Sequence, residues 1–91
     1  MIKNLEILHT QYKFDYIYIN PKNIKDLNFE FKPEEMFADF ASPAYYLGSI
    51  ILNNTDINVY WDKKITPDDV IFKYKDIKKE RSIKLSTLFT S

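Results

Sequence analysis

The chain has 91 residues and a net charge of zero, because thirteen basic side chains balance thirteen acidic ones. We expect residues 1–91 to form one domain, since a second hydrophobic core needs on the order of 100 further residues. The chain contains no cysteine, which excludes disulfide scaffolds, thiol catalysis and cysteine-bound zinc or iron–sulfur sites.

The N-terminal part predicts a strand that follows an ambiguous segment. Residues 1–9 fit either a short strand or a helical turn, because Leu5 matches the spacing of both patterns. From Tyr12 to Tyr18 an aromatic residue occupies every second position, and this period of two predicts a strand. Either the aromatic face or the face of Ile17 and Ile19 can pack inward in such a strand.

A turn and a short helix are expected next. Residues 20–23 combine asparagine with proline, which ends the strand because proline cannot donate to a strand ladder. Pro33 and the two glutamates after it are typical of a helix start, where proline fits the first position and acids face the positive end of the dipole. The sequence therefore predicts one short helix around residues 33–41.

Two apolar segments in the second half of the chain predict a β-hairpin. Residues 44–52 and 57–61 are rich in strand-forming residues, and turn-forming residues fill the connection 53–56. A helix over 44–52 is the alternative, because Ser42 and Pro43 are also typical of a helix start. We favour the hairpin.

The last third of the chain predicts a turn followed by a second hairpin. Residues 66–69 match a helix-capping pattern, but β-branched and aromatic residues dominate 70–75 and 82–89, so we expect a tight turn before two strands. The charged segment 76–81 forms the tip. Together the elements predict an α+β fold with a small, mainly antiparallel sheet of about five or six short strands and one short helix.

No catalytic pattern exceeds what chance provides. Asp68, Asp76 and Lys78 match the two acids and one lysine of a Mg²⁺-dependent nuclease, but the acid-x-Lys spacing recurs elsewhere in the chain. His9 could join one of several acids and serines in a hydrolytic triad, but only geometry defines a triad. Gly48 is the single glycine, so no glycine-rich phosphate loop is present. We expect a protein that is not an enzyme and has no cofactor or metal, with the nuclease as the weakest alternative.

The charges are divided along the chain. Residues 1–62 hold five lysines and nine acids, a balance of −4, and residues 63–91 hold eight basic and four acidic residues, a balance of +4. Clustered cations near aromatic rings are typical of nucleic-acid binding, although lysines on an outer strand also prevent edge-to-edge aggregation. The alternative function, nucleic-acid binding by the C-terminal hairpin, would use Lys73, Lys75, Lys78, Lys79, Arg81 and Lys84.

Aromatic residues are the largest departure from average composition, with seven Phe, seven Tyr and one Trp. A domain of this size buries only about 60–65% of its unfolded surface, so we expect some of these rings to be exposed, and Tyr and Trp are enriched at protein interfaces. We therefore expect a protein-binding module whose partner is a second copy, forming a homodimer, or a host protein. The candidate interface residues are Tyr12, Tyr45, Tyr46, Tyr60 and Trp61.

Two further expectations concern the setting of the protein. The first ten residues, interrupted by Lys3 and Glu6, lack the apolar run of a secretory signal, which indicates a cytoplasmic protein without a membrane partner. The excess of lysine over arginine is typical of the AT-rich genomes of low-GC bacteria and their phages. An inhibitor or accessory protein of a phage or mobile element would fit that origin.

Overall fold

The computed structural model describes residues 4–27, 29, 31, 45–76 and 78–89. The predicted helix around residues 33–41 lies outside these ranges. The described helices are α1 (Leu5–Tyr12) and α2 (Ile24–Leu27), with 3₁₀-helical turns at Pro21–Asn23 and Leu85–Leu88. The strands are β1 (Tyr16–Ile19), β2 (Tyr45–Leu52), β3 (Thr55–Trp61), β4 (Asp69–Lys73) and β5 (Glu80–Lys84).

The five strands form one sheet in the order β2-β3-β1-β4-β5. β1 runs parallel to β3, whereas the other three neighbouring pairs run antiparallel. This arrangement confirms the predicted α+β fold with a mainly antiparallel sheet. β1 is the first strand along the chain but the central strand of the sheet, so it is paired along both edges.

The predicted strand from Tyr12 to Tyr18 is wrong in its first half, because residues 5–12 form α1. Two leucines one helical turn apart give this helix its buried face, and that spacing outweighs the alternation of the aromatic residues. Lys13 then adopts a left-handed φ of 54°, and its N–H donates to the His9 carbonyl at 2.7 Å. This bond closes the helix, and β1 begins only at Tyr16.

The hydrophobic core lies on one face of the sheet. Ile17 and Ile19 of β1 and Phe72 of β4 are fully buried on that face. Phe14, which precedes β1, stacks on Phe72 with ring centroids 3.9 Å apart. Both helices and the C-terminal 3₁₀ turn contribute side chains to the same core: Leu5, Leu8, Leu27 and Leu88.

Asparagine side chains form hydrogen bonds between the helical segments that pack over the core and distant parts of the chain. Asn20 and Asn23 each donate to a backbone carbonyl in the loop between β3 and β4, at 2.6 and 2.7 Å. Asn4 donates to the Thr87 carbonyl at 3.1 Å. Since two of these amides are buried, their hydrogen bonds offset the cost of removing them from water. The bonds fix α2 and the start of α1 against the sheet.

β2 and β3 form the predicted hairpin, so residues 45–52 are a strand and not a helix. Its connection has two residues, Asn53 and Asn54, instead of the predicted four-residue connection 53–56, because Thr55 already pairs with Leu52. The two asparagines have positive φ angles of 51° and 61°. This is a type I′ turn, whose twist matches the twist of the flanking strands.

The second predicted hairpin is also present, with a shorter final strand than the sequence suggests. β4 follows a turn, as expected, but β5 ends at Lys84 instead of continuing to residue 89. The N–H of Leu85 donates to the Asp68 carbonyl at 2.7 Å, and the chain then turns so that Leu88 enters the core. Burial of Leu88 outweighs the strand pattern of 82–89.

Gly48 stands at an irregularity in β2. The register between β2 and β3 shifts between Tyr46 and Gly48, and Gly48 has a φ of 148°. A Cβ at this position would lie 2.7 Å from Phe31 Cδ1. Only glycine combines this backbone conformation with so close an aromatic neighbour.

Replacement of Asn54 tests the type I′ turn. Asn54→Gly should raise the free energy of unfolding by about 0.5 kcal/mol, because glycine adopts a positive φ without steric cost. Asn54→Val should lower it by about 1–2 kcal/mol, because a β-branched residue is strained there. Urea unfolding of both variants checks the signs. Equal stabilities for the two variants would contradict a left-handed conformation at this position.

Gly48→Ala tests the close approach of Phe31. We expect a loss of about 1–3 kcal/mol in the free energy of unfolding, from the unfavourable φ and the contact with the ring. Thermal unfolding measures this loss, at roughly 4–8 °C per kcal/mol for a domain of this size. The double variant Gly48→Ala/Phe31→Ala separates the two causes, since the smaller side chain removes the contact but not the backbone strain. A Gly48→Ala variant as stable as the wild type would contradict both.

Candidate functional site

The strand register places four tyrosines on the sheet face opposite the core. Neighbouring residues in paired strands share a face, so Tyr18 lies beside Tyr60 on β3, and Tyr60 lies beside Tyr46 on β2. Tyr16 follows on the same side of β1. We call this surface the tyrosine face and define its centre as Tyr16, Tyr18, Tyr46 and Tyr60.

One row of side chains crosses the tyrosine face from edge to edge. From the β2 side to the β5 side, this row is Tyr46, Tyr60, Tyr18, Ile71 and Ser82. The next row contains Ser49, Asn58, Tyr16, Lys73 and Glu80 in the same direction, and Ser49 is fully buried. The aromatic residues thus occupy the β2, β3 and β1 part of the face, and charged residues lie on the β4 and β5 part.

The tyrosine rings pack against one another. Tyr18 and Tyr60 are stacked, with centroids 4.8 Å apart and an angle of 16° between ring planes. This separation equals the spacing of about 4.8 Å between paired strands, so the two rings stand upright on the sheet with their faces in contact. Tyr16 meets Tyr60 edge-on at 6.2 Å, and Tyr46 meets it at 5.4 Å with a tilt of 58°. The ring edges and hydroxyl groups of the cluster therefore point away from the sheet.

Lys73 covers the second side of Tyr18. Its Nζ atom lies 4.2 Å from the centroid of the Tyr18 ring, which is cation–π geometry. With Tyr60 on one side and Lys73 on the other, Tyr18 has no ring face left for a flat ligand. Beyond Lys73, the Lys84 ammonium pairs with the Asp69 carboxylate at 3.1 Å. This side of the face therefore carries partnered cations.

The Tyr18 hydroxyl has a raised pKa. Burial within the cluster is the main cause, because it disfavours the phenolate, and the neighbouring hydroxyls of Tyr60 and Tyr16 and the Asp62 carboxylate add to it. A phenol in this position stays neutral to a higher pH than an ordinary tyrosine. Tyr18 is therefore a neutral hydrogen-bonding group at physiological pH.

The tyrosine face is separate from the hydrophobic core. The four tyrosines are half-buried, and they are not among the partly buried side chains that pack against the core. Within the described residues, the helices and 3₁₀ turns that supply core side chains do so on the opposite face. The tyrosine face is therefore the large aromatic surface that the described core does not use.

The structure divides the five predicted interface residues between the two sides of the sheet. Tyr46 and Tyr60 belong to the tyrosine face. Tyr45 and Trp61 stack on each other at 4.3 Å and share the core side with Ile19. Tyr12 ends α1 and also lies on the core side, beside Phe72.

Sequence reasoning did not select Tyr16 and Tyr18 as interface residues. The sequence pattern that could have identified them is the strict alternation of tyrosine with isoleucine over residues 16–19. This pattern allows either the tyrosine face or the isoleucine face of the strand to pack inward. The structure buries Ile17 and Ile19, so the tyrosines face outward.

The six basic residues of the C-terminal hairpin do not form one patch. Lys73 and Lys84 lie on the tyrosine face, whereas Arg81 pairs in register with Phe72 on the core side and lies 4.4 Å above the Tyr12 ring. Lys79 lies 6.0 Å from the ring centroid of Tyr74. Lys75 and Lys78 are exposed near the tip.

The residues considered for catalysis are also apart. Asp68 and Asp76 flank opposite ends of β4, whose five residues alone span roughly 13 Å. The Asp76 carboxylate accepts the Lys78 N–H at 3.1 Å, which makes a local turn. His9 lies edge-on to Phe14, and its Nδ1 is 3.1 Å from the Asn53 amide nitrogen. No group of three or more potential metal ligands occurs among the residues that the structure describes.

Comparison with known proteins gives no relative. Neither the protein-family models, nor the curated proteins, nor the solved structures contain a match to this chain. No helix in the described ranges has the length and apolar character needed to cross a membrane. The feature of this chain that bears on function is therefore the geometry of the tyrosine face.

The raised pKa of Tyr18 predicts how stability depends on pH. Below the ordinary tyrosine pKa of about 10, Tyr18 is neutral in both the folded and the unfolded chain. Above it the unfolded chain releases this proton first, so stability falls as the pH rises through the raised pKa. Urea unfolding between about pH 8 and pH 11 should show a steeper loss for the wild type than for Tyr18→Phe. Identical slopes for the two proteins would contradict the raised pKa.

Proposed function

We propose that this chain is a cytoplasmic protein-binding module that uses the tyrosine face to bind a partner protein, and that it acts by binding and not by catalysis. One observation carries the proposal. Four half-buried tyrosines from three adjacent strands form a continuous cluster outside the hydrophobic core.

The geometry of the rings favours a protein partner. Upright rings offer apolar edges together with hydroxyl groups, and a protein surface can match both with apolar side chains and backbone hydrogen-bonding groups. Tyrosine is enriched in the central, energetically important part of protein interfaces for this reason. Because the rings already hold one another in place, binding costs little side-chain entropy.

Nucleic-acid binding makes different demands on the same surface. Single-stranded nucleic acids stack bases on free ring faces and pair phosphates with cations. Tyr18 is covered on both sides, by Tyr60 and Lys73, and Lys84 pairs with Asp69. The tyrosine face therefore suits a protein partner better than a nucleic-acid base. Nucleic-acid binding by the basic C-terminal hairpin stays a prediction from the sequence.

A photocrosslinker on the tyrosine face tests the proposal. Tyr46 is replaced by p-benzoylphenylalanine, which keeps an aromatic ring at the position, and Gln11 on the exposed side of α1 carries the same group in the control. After irradiation in cells that naturally express the chain, we expect protein adducts from position 46 and none from position 11. Gel mobility and mass spectrometry of the purified adducts identify them as protein.

Two results would overturn this proposal. Adducts of equal yield from positions 46 and 11 would mean that the tyrosine face has no preference for protein. If nuclease treatment removes the adducts at position 46, the tyrosine face binds nucleic acid and not protein. Charge reversal of Lys78 and Lys79 to glutamate would then be expected to abolish a salt-sensitive mobility shift with single-stranded DNA.

A further inference from the structure

We propose that two copies of this chain join edge to edge through β5, so that their sheets form one continuous sheet about a two-fold axis perpendicular to it. The surface concerned is the outer edge of β5 and not the tyrosine face, so this inference does not rest on the proposed function. Among the described residues, β5 pairs only with β4 and forms one edge of the sheet. Four of its five residues are exposed, and Ile83 is half-buried.

The backbone groups of alternate residues in β5 point away from β4. Directly after the strand, the Leu85 N–H donates to the Asp68 carbonyl at 2.7 Å. Hydrogen-bonded and non-hydrogen-bonded pairs alternate along an antiparallel ladder, so Ile83 and Arg81 also bond to β4. The residues whose N–H and C=O groups face outward are therefore Glu80, Ser82 and Lys84. A further strand can bind these groups.

The sequence of β5 is complementary in charge to a second copy of itself in antiparallel pairing. When Ser82 of the two copies lie opposite each other, Glu80 of each copy lies opposite Lys84 of the other. Each of these pairs joins residues with outward backbone groups, so each pair can exchange two N–H···O bonds. On the core side of the sheet, Arg81 lies opposite Ile83, so no like charges meet. The pairing combines a hydrogen-bonded ladder with a Glu–Lys ion pair on each side of the axis.

The neighbouring registers do not match the charges. Outward backbone groups stay opposite each other only when the register shifts by two residues. A shift in one direction places Arg81 opposite its own image, where like charges repel. A shift in the other direction places Glu80 opposite Ser86, beyond the end of the strand. Cations on an edge strand ordinarily prevent pairing, but in the register centred on Ser82 each cation of β5 meets an acid or an isoleucine.

Lys84 can bind Glu80 of the second copy without losing its partner within the chain. Its ammonium lies 3.1 Å from the Asp69 carboxylate, and the lysine side chain is 71% exposed. An ammonium group has three donors, so it can hold both carboxylates. Arg81 keeps its place 4.4 Å above the Tyr12 ring, because the pairing does not require its guanidinium group.

An open pocket beside the end of β5 accommodates the hairpin tip of the second copy. Its volume is about 450 Å³, and the described residues that line it are Asp68, Lys84, Leu85, Ser86 and Phe89. The register centred on Ser82 brings Lys78 and Lys79 of the second copy opposite Ser86 and Leu85. The lysine stems can cover the exposed Phe89 ring while their ammonium groups approach the Asp68 carboxylate. The basic tip of each copy therefore meets an acidic group of the other.

The axis keeps the two tyrosine faces on the same side of the joined sheet. A two-fold axis perpendicular to a sheet reverses the strand direction but does not exchange the faces. The pairing therefore leaves the contacts of the tyrosine face unchanged, and the dimer carries that face twice on one side.

The length of β5 limits the strength of association. Five paired residues extend over about 17 Å, and a standard stable interface buries about 800 Å² per partner. An edge of this length with one tip in each pocket falls short of that area. We therefore expect a concentration-dependent dimer with a dissociation constant in the micromolar range.

Reversal of single charges tests the register. Glu80→Lys brings two lysines together on each side of the axis, and Lys84→Glu brings two glutamates together, so each variant alone should dimerise at least about tenfold more weakly than the wild type. An equimolar mixture of the two variants restores opposite charges on both sides and should dimerise about as well as the wild type. Sedimentation equilibrium measures these constants. Recovery in the mixture also shows that both variants are folded.

Two control variants make the same charge changes away from β5. Glu6→Lys on α1 and Lys22→Glu in the turn after β1 both alter exposed side chains. Each should leave the dissociation constant of the dimer unchanged.

A cysteine at the centre of β5 tests the edge itself, because the wild-type chain has no cysteine. Opposite residues of a hydrogen-bonded pair have Cα atoms about 5.5 Å apart, which lies within the range of about 4.4–6.8 Å that a disulfide spans. Ser82→Cys should therefore form a disulfide-linked dimer under mild oxidation. Ser86 is also exposed but lies opposite Lys78 in the proposed register, so Ser86→Cys should remain unlinked.

Three results would overturn the inference. A wild-type chain that remains monomeric up to millimolar concentration would exclude the dimer. A mixture of Glu80→Lys and Lys84→Glu that associates no better than either variant alone would contradict the register. Equal disulfide formation by Ser82→Cys and Ser86→Cys would contradict pairing through the β5 edge. Protein adducts from position 46 in cells depend on none of these results, so they would leave the proposed function standing.

Discussion

The structure depends on the alternation of side chains in β1. This strand has only four residues, yet β3 and β4 pair with its two edges, and every other strand reaches the sheet through one of those two. Ile17 and Ile19 point into the core, and Tyr16 and Tyr18 point to the opposite face. A register slip of one residue would exchange the two pairs, placing hydroxyl groups in the core and isoleucines in water. Core and tyrosine face are therefore consequences of one register.

That register is held by contacts between distant parts of the chain. β1 is inserted between β3 and β4, which follow it by about 40 and 50 residues in the printed sequence, so neither neighbour is a local hairpin partner. The buried amides of Asn20 and Asn23, directly after β1, donate to carbonyls of the loop that joins those two strands. The end of β1 is thereby fixed to the loop between its neighbours, which resists slippage of the central strand.

Local patterns predicted much of the fold. The two hairpins, the turn after residue 19 and the mainly antiparallel sheet follow from alternation and from turn-forming residues. The failures occurred where two patterns overlapped. Tyr12 continues the aromatic alternation, yet it ends a helix whose leucines repeat at helical spacing, and Leu88 fits a strand yet enters the core from a 3₁₀ turn. For the candidate site, sequence alternation defined two faces but could not decide which faced inward, since tyrosine is compatible with both burial and water.

The contrast between neighbouring strands supports a binding role for the tyrosine face. The described helices lie on the core side of the sheet, and on the opposite face β5 carries charged and small residues, Glu80, Ser82 and Lys84, which are exposed. The centre of the same face uses tyrosines in mutual ring contact, although charged or threonine side chains would satisfy solvation equally well. Solvation alone therefore does not account for the cluster. Rings that are already packed against one another and that carry hydroxyl groups at their outer edges meet the requirements of a surface that a second protein covers.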